Sequence, residues 1–120
     1  MEAYDSSADP NAVKRAVHGV LELPQAPTAI ICSEDAVALT VLRECTLRGV
    51  RVPTDVSIVG FGDEPLARAA LPSLTTVRPG PRQAGFHAAE AVLALLAGGI
   101  PEPCKPAVRL AIRESTGPAP

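Results

Sequence analysis

Carboxylates fall in two tight pairs, Glu34–Asp35 and Asp63–Glu64, each close behind a short apolar run. Two carboxyl groups can cleave a glycosidic bond when one has a raised pKa and they stand about 5–9 Å apart. Chain spacing does not set that distance, and no further motif accompanies the pairs. At a helix N-terminus the same groups gain about 0.3–1 kcal/mol from the helix dipole, so Glu34 is open both to ligand contact and to capping. Gly60 and Gly62 suit the backbone of a tight strand-to-helix turn. His18 and His87 lie on polar helix stripes without metal-ligand spacing. Neither Ser33 nor Ser115 has a His in a nucleophile motif. Cys32, Cys45 and Cys104 are odd in number and show no CxxC, as expected of small buried or loop thiols in a reducing cytoplasm. These residues imply no catalytic group, no metal and no cofactor.

The chain around them has 120 residues, room for one modest domain. It is 47% hydrophobic and 20% charged, with Phe61, Phe86 and Tyr4 its aromatic residues, so the core must be aliphatic. A net charge of −2, with Lys and Arg scattered, leaves no footprint for nucleic acid. The opening "MEAYDSSADP" has neither a basic nor an apolar signal region. No apolar run nears the 18 or so residues needed to cross a bilayer, so the expected location is cytoplasmic and no membrane partner is implied.

Asp9-Pro10 reads as an N-cap and first helical proline. Val13, Ala16, Val17, Val20 and Leu21 then mark one helical face. "TAIIC" (28–32) is a continuous apolar run, as in a strand buried on both faces. A second helix runs from about Asp35 to Arg48, with Gly49 as its left-handed cap. "VSIVG" (56–60) is a second strand, "FGDEPLARAA" a polar turn and short helix, and "SLTTV" (73–77) a third strand. A helix from about Arg82 to Ala97 is apolar nearly all round, which predicts burial on more than one side. "AVRLAIR" (107–113) alternates like a final strand. Helices alternating with strands predict an α/β fold, a mainly parallel, Rossmann-like sheet with helices on both faces, its ligands outside the carboxyl ends of the strands.

Four segments carry a resemblance: "PTAIICSEDAVAL" (27–39), "RGVRVPTDVSIVGFGDEPLA" (48–67), "LPSLTTVRPGPRQAGFHAAEAVLALLAGG" (71–99) and "LAIRESTGP" (110–118). In this order and spacing they resemble the lac repressor/galactose repressor family of transcriptional regulators. The resemblance covers roughly residues 10–118. It implies an incomplete periplasmic-binding-protein-like effector domain: residues 1–78 as its C-terminal lobe, 79–106 as a joint and helix of the N-terminal lobe, and 107–120 as a returning strand and tail. The late helix would then pack on an N-terminal lobe whose first half is missing from the chain.

By the same resemblance a small-molecule effector, a sugar or related metabolite, sits between the lobes, and operator DNA is bound only through an N-terminal headpiece absent from this chain. The two C-lobe effector positions map to Glu34 and Gly62. Both depart from the family pattern: a carboxylate replaces a neutral amide, and a carboxylate that clamps sugar hydroxyls is gone. Asp63 divides between ligand contact and loop organisation, while Asp35 and Gly60 take structural turn or cap roles. Leu39 matches a position in the family's homodimer interface. Two other readings stay open, a transport-type solute-binding protein and a truncated product without regulatory activity, since Met1 falls inside the expected lobe. An enzyme has no motif behind it.

Overall fold

The computed structural model describes residues 10–105 and 107–119; the N-cap expected at Asp9 lies outside them. Helix α1 (Pro10–Leu21) precedes strand β1 (Ala29–Ile31), and α2 (Asp35–Leu47) leads to β2 (Ser57–Phe61). The short α3 (Pro65–Ala69), β3 (Thr75–Arg78), α4 (Pro81–Leu96) and β4 (Arg109–Ala111) follow. The sheet order is β1-β2-β3-β4; the first two pairings are parallel and β4 runs antiparallel to β3. This is the mainly parallel α/β architecture that the alternation of elements implies. Gly49 ends α2 with φ +71°, where a Cβ would be strained.

Register divides the side chains between two faces. Ile30 pairs with Ile58 and Gly60 with Thr76, which places these four on one face. Over it lie α1 and α2, and Val13, Val17, Ala38, Val41, Leu42 and Cys45 close a single core with Ile58 and Leu74. Burial of this aliphatic set, at about 25 cal/mol per Å², is the main favourable term in folding. The other face is largely open among the described residues. Ile31 is 82% exposed there, and Phe61 and Leu110 are exposed on the same side. Among the described residues, the stretch 113–117 closes part of that face, around Thr75 and Ser57.

The strands are shorter than the apolar runs suggest. β4 covers three residues where alternation predicts seven, because beyond Ala111 the backbone turns to bond side chains of Ser73 and Thr75 instead of a ladder. The expected burial of the late helix is not met: no residue of α4 is buried. Ala91 and Ala94 are half-buried beside the following loop, and Phe86, Leu93 and Leu96 face outward. The Cα radius of gyration, 17.8 Å, accordingly exceeds the roughly 14 Å of a compact domain this long.

Candidate functional site

The carboxyl ends of β1, β2 and β3 bring both acidic pairs to one end of the sheet. Asp35 opens α2 and is fully buried. Its Oδ2 accepts the backbone N–H of Glu64 at 2.8 Å, and its Oδ1 accepts the Thr76 hydroxyl at 2.5 Å. One carboxylate thus joins the head of α2, the turn after β2, and β3. Gly60 lies beneath it: a Cβ there would stand under 3.0 Å from Asp35 Oδ1 and 3.0 Å from Leu74 Cδ2. A desolvated carboxylate is tolerated only when hydrogen-bonded, and this one has two donors.

Asp63 sits in the turn between β2 and α3 with φ +56°, a left-handed conformation that Asp tolerates better than most residues. Its side chain is 2% exposed and takes three guanidiniums. Arg68 on α3 donates to Oδ2 at 2.8 Å; Arg78 Nε, at the end of β3, donates to the same oxygen, and Arg113 Nη2 to Oδ1. These hydrogen bonds, from Arg68 first and then Arg113, hold the carboxyl well below the usual carboxylate range. Arg113 Nη1 also donates to the Leu74 carbonyl at 2.6 Å, which anchors the network to the strand entry.

Glu34, at the cap position of α2, has extended backbone (φ −154°, ψ 160°), an exposed side chain and no capping hydrogen bond from it. Gly62 has φ +131° and donates its N–H to the Val77 carbonyl at 2.9 Å; a Cβ there would lie 3.5 Å from Asp35 Oδ2. Gly62 therefore lies beside Asp35, the residue after Glu34. Leu39 is half-buried against the core and lines an open groove between α2 and the end of α3, with Leu47 and Leu71.

The arginines that close on Asp63 were not singled out from sequence, where Lys and Arg look scattered. The signal was available: Arg78 follows the third apolar run directly, and Arg113 stands two residues before Ser115. Ser115 was also missed. It is fully buried, donates its hydroxyl to the Ile58 carbonyl at 2.6 Å and accepts the Thr75 N–H at 2.8 Å, so it stitches β2 to β3.

His18 and His87 are exposed; His18 pairs with Glu22 just past the end of α1, and His87 with Glu90 on α4. Burial pushes the Cys32 thiol up to about 11, with a smaller push from Cys45; such a thiol is a poor nucleophile. Among the described residues no group of three or more metal-binding side chains converges, and no helix is long and apolar enough to cross a membrane.

The profile of the periplasmic binding protein-like domain matches residues 1–116. The HTH-type transcriptional regulator MalR of Streptomyces coelicolor is 43% identical over 96 residues, which are 78% of this chain and 28% of that protein. A LacI family transcriptional regulator from Bifidobacterium animalis superposes with TM-score 0.87 at 34% identity, over 94% of this chain and 42% of its own. A LacI family regulator from Lactobacillus casei, solved with bound sucrose, gives TM-score 0.71 at 25% identity, over 88% and 40%. The chain thus spans less than half the length of these relatives. The chain belongs to the periplasmic binding protein-like domain family and, within it, to the lac repressor/galactose repressor group.

Proposed function

We propose that these 120 residues are the effector-sensing and dimerising part of a DNA-binding transcriptional regulator, with 1–78 as its C-terminal lobe and 79–106 reaching into an N-terminal lobe. One observation carries the reading: polar groups gather at the carboxyl ends of β1–β3, where open α/β sheets take ligands, in a chain whose relatives are regulators. Glu34 and Gly62 face the effector. Asp63 serves it indirectly, by holding arginines at the same end. An effector that binds one lobe arrangement more tightly than another shifts the population between them, and that difference is what reaches the DNA. Sucrose in the Lactobacillus casei relative supports a metabolite-sized ligand.

Chromatin immunoprecipitation of the complete polypeptide that carries these residues in the cell tests the reading. Enrichment of a small set of promoters is expected, with occupancy that changes with nutrient supply. Absence of any enriched promoter overturns it. A solute-binding protein of a transport system shares this fold and would give that negative result.

A further inference from the structure

The β3–β4 edge carries more positive charge than the described residues neutralise. Arg78 and Arg109 are directly opposed across the antiparallel pair, so their side chains leave the same face with Cβ atoms about 4.5–5.5 Å apart. Like charges in that relation repel. Arg113, beyond the end of β4, sends its guanidinium to Asp63, and Arg68 reaches in from α3. Asp63 is the carboxylate among these four guanidiniums, and it is already saturated by Arg68, Arg78 and Arg113. Arg109 is exposed and has no carboxylate partner among the described residues. The Arg78 side chain remains 49% exposed, and a guanidinium has five N–H donors, of which Asp63 uses one here.

We infer that Arg78 and Arg109 form an anion seat at the effector end of the sheet, so that the effector carries a carboxylate or phosphate group. This deepens the effector-domain reading and rests on it. Both residues lie where the chain leaves the sheet for α4 and returns from it, at the same end as Asp63. The exposed carboxylates nearby are Glu34 and Glu64. Glu34 follows β1, two to three strand spacings or about 10–14 Å from β3 and β4, so its repulsion is weak in water. Glu64 heads α3 beside Asp63. Gly62 adds no charge of its own between them. Asp63 pre-orders the Arg78 guanidinium and so lowers the entropy that binding must overcome.

Inorganic phosphate, as a minimal probe, tests the seat on the 120-residue chain. In heteronuclear NMR, the Arg78 and Arg109 Nε–H signals should shift saturably with phosphate and not with chloride at matched ionic strength. R109Q should raise the half-saturating concentration about tenfold, equivalent to about 1.4 kcal/mol, with the remaining spectrum preserved, and R109K should restore part of the affinity. Equal responses to phosphate and chloride, no response to phosphate, or native titration by R109Q each overturn the inference. A parallel titration with sucrose separates the two claims. Sucrose shifts at the Glu34 and Gly62 amides without a phosphate response remove the anionic class and leave the effector reading intact. Failure of the promoter enrichment removes that reading and leaves a measured anion site.

Discussion

The hydroxyl of Thr76 donates to Oδ1 of Asp35 at 2.5 Å across 41 residues of sequence, and both groups are buried. That contact ties the head of a helix to the third strand of the sheet. Asp35→Ala leaves the Thr76 hydroxyl and the Glu64 N–H without their partner, a loss of about 3 kcal/mol. Thr76→Val removes the hydroxyl and keeps the shape, a smaller loss of about 1 kcal/mol. Urea unfolding followed by circular dichroism measures both; equal midpoints for native and Asp35→Ala chains would show that the staple contributes nothing.

Gly60→Ala should destabilise by about 1–3 kcal/mol, the usual effect of overpacking. The added methyl meets Asp35 and Leu74, and neither can retreat, since one is pinned by two hydrogen bonds and the other is fully buried. Gly19→Ala is the control, because a Cβ there meets no atom within 4 Å in mid-helix. Gly19→Ala should leave stability equal or slightly higher. A Gly60→Ala chain that melts with the native one would contradict the close approach.

Asp63 makes stability depend on acidity. Its folded pKa is depressed below the unfolded value of about 3.9, so the folded state binds fewer protons. Its contribution is complete above that pH and is lost as pH falls through the unfolded value toward the folded one. Asp63→Asn should cost about 1.5–3 kcal/mol at pH 7 and flatten the stability profile below pH 4. A parallel offset of the two profiles at all pH values would refute the assignment of the acid limb to this residue.

The effector and dimer roles predict two separate responses. Glu34→Ala should weaken binding of the proposed effector by the complete polypeptide, while His18→Ala on the distant helix α1 leaves it unchanged; calorimetry reads both, and equal losses would remove Glu34 from the site.

Leu39, Leu47 and Leu71 present an apolar groove whose outer members are 65% and 89% exposed, and contiguous apolar surface of this kind commonly marks a contact between chains. Sedimentation equilibrium at tens of micromolar should give a mass above the 12.4 kDa of one chain, lowered by Leu39→Glu. A constant single-chain mass would end the dimer proposal.

Periodicity and chain punctuation make most elements legible in the sequence. Val37, Ala38, Val41, Leu42 and Cys45 mark α2 because a buried helical face repeats at 3.6 residues, and Gly49 closes it because its backbone must turn left-handed. The network around Asp63 was hidden for a physical reason: Arg68, Arg78 and Arg113 come from three different elements and meet only when the sheet forms. Ser115 looked like an ordinary tail hydroxyl, since its partners Ile58 and Thr75 lie 57 and 40 residues upstream. The α4 expectation failed for the opposite reason. Its composition reports that it suits burial, and the cover itself is not in the described chain.

Ser115 also sets an order of events at the ribosome. The Ile58 backbone donates to the Ser115 carbonyl at 2.8 Å, and the Ser115 amide donates to Ser73 at 2.9 Å, in addition to the two side-chain bonds. A nascent chain that has emerged only as far as β3 therefore holds Ile58 and Thr75 with backbone groups still reaching for partners. Until the stretch through Ser115 clears the exit tunnel, β2 and β3 lack the clasp between them. The β2–β3 ladder is closed by its own pairing, and the buried Ser115 clasp is added to it only after residue 115 has emerged.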